Sequence, residues 1–212
     1  MSIGIVCFDC DSTLSKIEGI DELGRRKGLF EQMAALTNAA MNGEMALEDV
    51  YGKRLELIQP QQSDLDWLAQ LYIEEIVDGV EAVFQALQQS GYQLHIISGG
   101  IRQAILPLAK RLGLQDDQVH AVSVYFDAHG HYQDFDRQSP LAKTGGKAEV
   151  CKGLKQLHLP MTMIGDGKTD LEAAQAGARV IGFGGVARRE LVEKQADIYV
   201  LDSSLQSVLA YF

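Results

Sequence analysis

Residues 3–11 read IGIVCFDCD, a nearly continuous apolar run that stops at two aspartates. Such a run predicts a strand that is covered on both faces, as in a parallel β-sheet. Similar apolar runs recur further along the chain, as QLHIIS (93–98), MTMIGD (161–166), RVIGF (179–183) and, more weakly, DIYVLD (197–202). Apolar residues with helical spacing lie between these runs. The alternation predicts an α/β fold with a doubly wound parallel sheet of the Rossmann type.

Two segments interrupt this alternation. Residues 15–76 contain no strand-like run but several stretches with helical patterning. We therefore predict a small helical cap at residues 15–76, inserted after the first strand of an α/β core that comprises residues 1–14 and 77–212. Residues 122–136 alternate apolar and polar side chains on either side of His129-Gly130, which predicts a β-hairpin.

The composition excludes several classes of partner. The 212 residues include 19 Lys and Arg against 29 Asp and Glu, which gives a formal net charge of −10. Without a basic cluster, binding to nucleic acid is not expected. No apolar run approaches the ~20 residues that span a bilayer, so we expect no membrane partner. The sequence leaves the oligomeric state open.

The N-terminal sequence and the cysteines indicate the cellular compartment. The first residues, MSIGIVCFDCD, lack the basic start and the cleavage site of a secretory signal, so we expect a cytoplasmic protein. Cys7, Cys10 and Cys151 are odd in number and lack the spacing of metal ligands. We expect them to be reduced thiols.

Acidic side chains follow two of the predicted strands. Asp9 and Asp11 end the first strand, and Asp166 ends the strand that begins at residue 161. The carboxyl ends of parallel strands meet at one edge of the sheet, where functional groups collect. Carboxylates brought together there repel each other unless a cation neutralises them, and hard oxygen ligands favour Mg²⁺. The sequence therefore predicts a magnesium site.

Groups that suit phosphate accompany this acidic cluster. Ser98, Gly99 and Gly100 follow another strand, and Lys147 lies in the sequence TGGKAE. Glycines allow backbone N–H groups to approach phosphate oxygens, a serine adds a hydroxyl donor, and a lysine adds a point charge. Together with a carboxylate-bound metal, these groups predict phosphoryl transfer.

Four motifs resemble, in order, those of the haloacid dehalogenase-like phosphatases. They are FDCDSTLS (8–15), SGG (98–100), Lys147 and GDGKTD (165–170). Further segments resemble the phosphoserine phosphatase family within that group, namely EGIDELGRRKG (18–28), AAMNGE (39–44), KRLELIQP (53–60), GGK (145–147) and VIGFGG (180–185). The resemblance covers almost the whole chain.

The resemblance implies roles for the core residues. Asp9 would be the nucleophile that forms an aspartyl-phosphate, and Asp11 the general acid and base. The metal ligands would be Asp9, the backbone carbonyl of Asp11, and Asp166, while Asp170 would orient the metal site. The transferring phosphoryl group would be held by Ser98, Gly99, Gly100, Lys147 and Thr169. Thr169 stands where many relatives have asparagine.

The resemblance also implies how a substrate is chosen. Free phosphoserine carries an ammonium and a carboxylate. Glu18 matches the residue placed against the amino group, and Arg54 the residue placed against the carboxylate. Met41 matches an apolar wall, and Asn42 a backbone amide contact, although some relatives have glycine at that position.

The implied activity is Mg²⁺-dependent hydrolysis of O-phospho-L-serine, the final step of serine biosynthesis. Two alternatives share the core motifs: transfer of the phosphoryl group to another alcohol such as homoserine, and hydrolysis of a different small phosphomonoester. A signalling receiver domain also uses aspartate, Mg²⁺, a hydroxyl and a lysine. Receivers have neither a second aspartate two residues after the first nor a helical insertion, and this chain has both.

Overall fold

The computed structural model describes residues 2–155 and 158–212. The strands are β1 (Gly4–Phe8), β2 (Tyr92–Ile101), β3 (Val119–Val122), β4 (Val124–Phe126), β5 (Tyr132–Phe135), β6 (Met161–Gly165), β7 (Arg179–Phe183) and β8 (Ile198–Val200). The α-helices are α1 (Gly19–Arg26), α2 (Phe30–Met41), α3 (Leu47–Ile58), α4 (Gln62–Glu74), α5 (Val80–Gln89), α6 (Arg102–Arg111), α7 (Gly146–Leu154), α8 (Lys168–Leu171) and α9 (Glu190–Gln195). None of these helices is both long enough and apolar enough to cross a membrane.

A parallel sheet forms the centre of the fold, with the strand order β3-β2-β1-β6-β7-β8. The α/β prediction is therefore confirmed, and each of the five apolar runs forms one of these strands. Strand β1 is buried along its whole length. Its last residue, Phe8, stacks on Phe84 of α5 with 4.7 Å between the ring centroids. Burial on both faces explains why β1 appears in the sequence as an uninterrupted apolar run.

The hairpin prediction is also confirmed, but its start is different. Strands β4 and β5 pair antiparallel, and β4 begins at Val124 rather than at residue 122. Val122 instead ends β3, an edge strand that the sequence analysis missed. His120 and Ala121 in this strand are partly exposed, so β3 has no continuous apolar run.

The chain order creates a crevice beside β1. From β1 the chain proceeds to β2 and β3 on one side, and later returns to β6, β7 and β8 on the other side. Ligands bind at such reversals, outside the carboxyl ends of the strands. Phe8 pairs with Ile164 in β6, so Asp9 and Asp166 leave the sheet side by side.

Helices α1 to α4 lie between β1 and β2 in the sequence, within the proposed helical cap. The two connections to the core run side by side, because Ser15 forms an antiparallel bridge with Ile76. The amide of Val77 also donates to the carbonyl of Leu14 at 2.9 Å. Helix α4 packs against α6 of the core. The division of function between cap and core stays a prediction.

Candidate active site

A pocket lies at the carboxyl edge of the sheet, between the core and the helices that follow β1. Its walls include most of the site residues expected from the sequence, namely Asp9, Asp11, Glu18, Met41, Arg54, Ser98, Gly99, Gly100, Lys147, Asp166 and Thr169. Asp170 and Asn42 do not line this pocket. Residues far apart in the sequence are thus brought to a single cavity by the ends of three adjacent strands, β2, β1 and β6, together with helices α1, α2, α3, α7 and α8.

Three buried carboxylates form a candidate metal centre. Asp9 follows β1, Asp166 follows β6, and Asp170 lies in the short helix α8. One oxygen from each lies within 4.8 Å of the others. Asp170 is held in place because its Oδ2 accepts a hydrogen bond from the amide of Gly167 at 3.0 Å. Clustered oxygen donors of this kind suit a hard divalent cation.

Asp11 and Asp166 resist ionisation. Burial, reinforced by the charge of Asp9, raises the pKa of Asp11 to about 7. Burial also raises the pKa of Asp166 to about 6; the guanidinium of Arg189 acts in the opposite direction, while the charge of Asp9 adds to the rise. Both shifts have the physical cause expected of like charges confined in a region of low dielectric.

Two cationic side chains partly balance this charge. The ammonium of Lys147 lies 2.8 Å from Asp9 Oδ2 and 2.6 Å from Asp170 Oδ1. Burial works against this charge, but the two carboxylates outweigh it and raise the pKa of Lys147. The guanidinium of Arg189 donates from Nε to Asp166 Oδ2 at 2.9 Å.

The remaining charge favours a divalent cation. The aspartates at positions 9, 11, 166 and 170 carry four negative charges when they are ionised, and Lys147 and Arg189 carry two positive charges. The difference is two negative charges. A bound divalent cation offsets this excess, and it also lowers the pKa values of the carboxylates that hold it.

Arg189 is a site residue that the sequence analysis missed. It lies just before α9 and is 7% exposed. Its Nη2 lies 3.6 Å from Glu18 Oε1, and its Nη1 donates to Asn38 Oδ1 at 3.2 Å. Arg189 thus joins the acidic centre to the helical cap. No motif marks it; the only signal in the sequence is the adjacent pair Arg188-Arg189 in an acidic chain.

The Ser98–Gly100 segment forms one wall of the pocket. Strand β2 continues through these residues to Ile101, and its register with β3 shifts between Ile97 and Ile101. Within the shifted segment, the amide of Gly100 donates to Ser98 Oγ at 3.1 Å. The hydroxyl of Tyr51, from α3, donates to the carbonyl of Gly99 at 2.8 Å. Tyr51 is a further contact that the motifs do not identify.

Arg54 is a buried guanidinium that lacks a direct carboxylate partner among the described residues. It is 4% exposed, and its Nη1 donates to Thr37 Oγ1 at 3.0 Å. Its Nε has no hydrogen-bond partner. Among residues 2–155 and 158–212 Arg54 forms no direct ion pair with a carboxylate, but Thr37 links it to Asp21, because Thr37 Oγ1 donates to Asp21 Oδ1 at 2.6 Å. Burying a charge that is only partly balanced is costly, and an anionic group in the pocket that Arg54 lines would reduce that cost.

Glu18 and Asn42 are engaged by protein groups. Glu18 Oε1 accepts a hydrogen bond from Ser12 Oγ at 2.7 Å, and burial raises the pKa of Glu18. The side chain of Asn42 points to Arg189, with 3.5 Å between Asn42 Oδ1 and Arg189 Nη1. Met41, by contrast, forms part of the pocket wall.

Replacement of Lys147 by alanine should destabilise the protein. The change leaves Asp9 and Asp170 buried without their shared cation, which typically costs about 3 to 5 kcal/mol. Urea unfolding in the presence of a chelator measures the loss. Lys16→Ala is the matched control, because the Lys16–Asp78 pair is exposed and contributes little. Equal effects of the two substitutions would contradict this view of the site.

Comparison with known proteins agrees with this geometry. A family model for haloacid dehalogenase-like hydrolases matches residues 3–177. Phosphoserine phosphatase of Mus musculus is 36% identical over 203 residues, which cover 95% of this chain and 90% of the mouse protein. A substrate-bound phosphoserine phosphatase complex has a TM-score of 0.87 at 24% identity, covering 100% of this chain and 99% of that one. A phospho-aspartyl intermediate analogue of phosphoserine phosphatase has a TM-score of 0.83 at 23% identity, covering 100% of both chains. The chain therefore belongs to the haloacid dehalogenase-like hydrolases, within the phosphoserine phosphatase family.

Proposed function

We propose that this protein hydrolyses O-phospho-L-serine to serine and phosphate through an aspartyl-phosphate on Asp9. The observation that carries the substrate assignment is Arg54, a buried guanidinium that lines the same pocket as Asp9 and forms no direct ion pair with a carboxylate of the described residues. A phosphomonoester with a carboxylate of its own supplies the missing anion. The names of the related proteins support the same substrate.

The roles of the core residues follow from their positions. The Asp9 carboxylate attacks phosphorus, and Lys147 holds one of its oxygens while balancing its charge. Asp11 gives a proton to the departing serine oxygen and later takes one from the water that hydrolyses the aspartyl-phosphate. A pKa of about 7 suits both transfers. The Ser98–Gly100 segment and Thr169 bind the phosphoryl oxygens.

The helical cap supplies the groups that recognise the amino acid. Arg54 binds the carboxylate through its planar fork, and Glu18 binds the ammonium. Met41 packs against the carbon chain of the substrate, and the backbone at Asn42 offers an amide. Because the core groups recognise only phosphate, the cap determines which phosphomonoester reacts.

The cation of the site is Mg²⁺ in this proposal. Buried carboxylates with oxygen atoms within 4.8 Å of one another fit such an ion. Asp9, Asp166 and the backbone carbonyl of Asp11 would hold it, with Asp170 orienting the group. When bound, the ion offsets the repulsion between the Asp9 carboxylate and the anionic phosphate.

Stabilisation by Mg²⁺ should increase between pH 5 and pH 8. Asp166, whose pKa is raised to about 6, keeps its proton at low pH and must lose it to bind the ion. At about a hundred times the Kd, the ion should stabilise the fold by about 2.7 kcal/mol. Melting temperatures with MgCl₂ and with a chelator measure the difference. Asp166→Asn should remove the stabilisation by MgCl₂, and the exposed control Asp66→Asn should retain it. Stabilisation of Asp166→Asn by MgCl₂ to the same extent as the wild type would contradict the proposed site.

Phosphoserine should yield equal amounts of serine and inorganic phosphate, with or without homoserine. Both products are measured over the same time course in MgCl₂. Serine release without matching phosphate in the presence of homoserine would identify a phosphotransferase. Phosphate release from other small phosphomonoesters but not from phosphoserine would assign a different substrate.

Arg54→Ala should raise the KM for phosphoserine at least tenfold and change the KM for p-nitrophenyl phosphate little. The aryl ester has no carboxylate for Arg54 to bind, and the tenfold loss corresponds to about 1.4 kcal/mol, within the range for a charged hydrogen bond. Arg26→Ala is the control, because Arg26 lies in the same cap but pairs with Asp64 near the surface. Equal losses on both substrates would show that Arg54 does not bind the carboxylate.

A further inference from the structure

Tyr72 makes a contact across the boundary between the helical cap and the core. It lies in α4, its side chain is fully buried, and its hydroxyl donates to Asp11 Oδ1 at 2.6 Å. The two residues are 61 positions apart in the sequence. This hydroxyl reaches into the active-site pocket, which Tyr72 helps to line.

The same oxygen of Asp11 receives a second hydrogen bond from the cap. The amide of Gly19, at the start of α1, donates to Asp11 Oδ1 at 2.8 Å. Two donors therefore fix one carboxyl oxygen. The other oxygen, Oδ2, lies on the side of the Ser98–Gly100 segment, 3.0 Å from the position that a Cβ on Gly100 would occupy.

The absence of a side chain at Gly19 leaves room for the Tyr72 hydroxyl. A Cβ at that position would lie 2.0 Å from the Tyr72 hydroxyl oxygen, far inside van der Waals contact. Only glycine lets the amide and the hydroxyl converge on the same oxygen. The contact is thus specified by two separate positions of the cap.

We propose that Tyr72 is a positioning residue for the general acid and base, and that it acts by holding Asp11 with Oδ2 turned towards the phosphoryl group. The proposal rests on the proposed function. As the bond between Asp9 and phosphorus forms, the bond from phosphorus to the substrate oxygen breaks and its electron pair stays on that oxygen. The oxygen takes the proton from Asp11 Oδ2. Asp11 recovers a proton from the water that later attacks the aspartyl-phosphate.

The position of the two donors links this step to the placement of the cap. Tyr72 and Gly19 both belong to residues 15–76, whereas Asp11 lies three residues after the end of β1 in the core. Both hydrogen bonds therefore join the helical cap to the core. Asp11 is oriented for proton transfer in the same arrangement that encloses the substrate.

The test compares a leaving group that needs a proton with one that does not. The alkoxide of serine departs poorly without an acid, whereas p-nitrophenolate departs unaided. The ratio kcat/KM reports the steps up to departure of the leaving group. Tyr72→Phe should lower kcat/KM for phosphoserine about tenfold, through kcat rather than KM, since one hydrogen bond to a charged group is lost. For p-nitrophenyl phosphate, kcat/KM should change less than about twofold.

Two further variants keep the test decisive. Gly19→Ala pushes the hydroxyl away while retaining the tyrosine, so it should give the same selective loss. Tyr132→Phe is the matched control, because the buried Tyr132 hydroxyl has no hydrogen-bond partner in the described part of the chain; it should leave both substrates unaffected. Equal losses on both substrates, or no loss on either, would overturn the proposal.

Failure of the proposed function gives a different result. Wild-type protein that does not release phosphate from phosphoserine contradicts that function directly. The role of Tyr72 is then tested with any alkyl phosphate that the wild type hydrolyses, compared with the same aryl phosphate. A loss confined to the alkyl ester supports the positioning role whatever the natural substrate is.

Discussion

Mutual repulsion among buried aspartates is the constraint on which the rest of this structure depends. Asp9 and Asp166 leave adjacent parallel strands at the same edge of the sheet, and Asp170 lies beside them. The fold makes this crowding unavoidable. Lys147 and Arg189 are buried there as counter-ions, and the charge that they leave unbalanced favours a divalent cation.

The same constraint explains how an acidic protein binds an acidic substrate. The net charge of −10 is a property of the whole chain, whereas binding depends on the charges that line one pocket. Arg54 has no carboxylate partner among the described residues, and Lys147 lies directly beside Asp9. A small ester with two anionic ends can be held by these groups.

Much of the fold could be predicted because buried parallel strands leave a direct pattern in the sequence. Strand β3 left none, since its middle residues are partly exposed. The aspartates and Lys147 follow strand ends or begin a helix, so local patterns indicate where they lie. Arg189 and Tyr72 could not be found in this way. Each reaches its partner only through tertiary packing, across 23 residues to Asp166 for Arg189 and 61 residues to Asp11 for Tyr72.

The bridge between Ser15 and Ile76 has a consequence for how such a protein can change. It holds the two ends of the helical insertion together. The distance between these ends is therefore the same whatever the length of the chain between them. The entropy of loop closure grows only slowly with length. Helices can therefore be lengthened, shortened or replaced above the bridge while β1 and β2 keep their register.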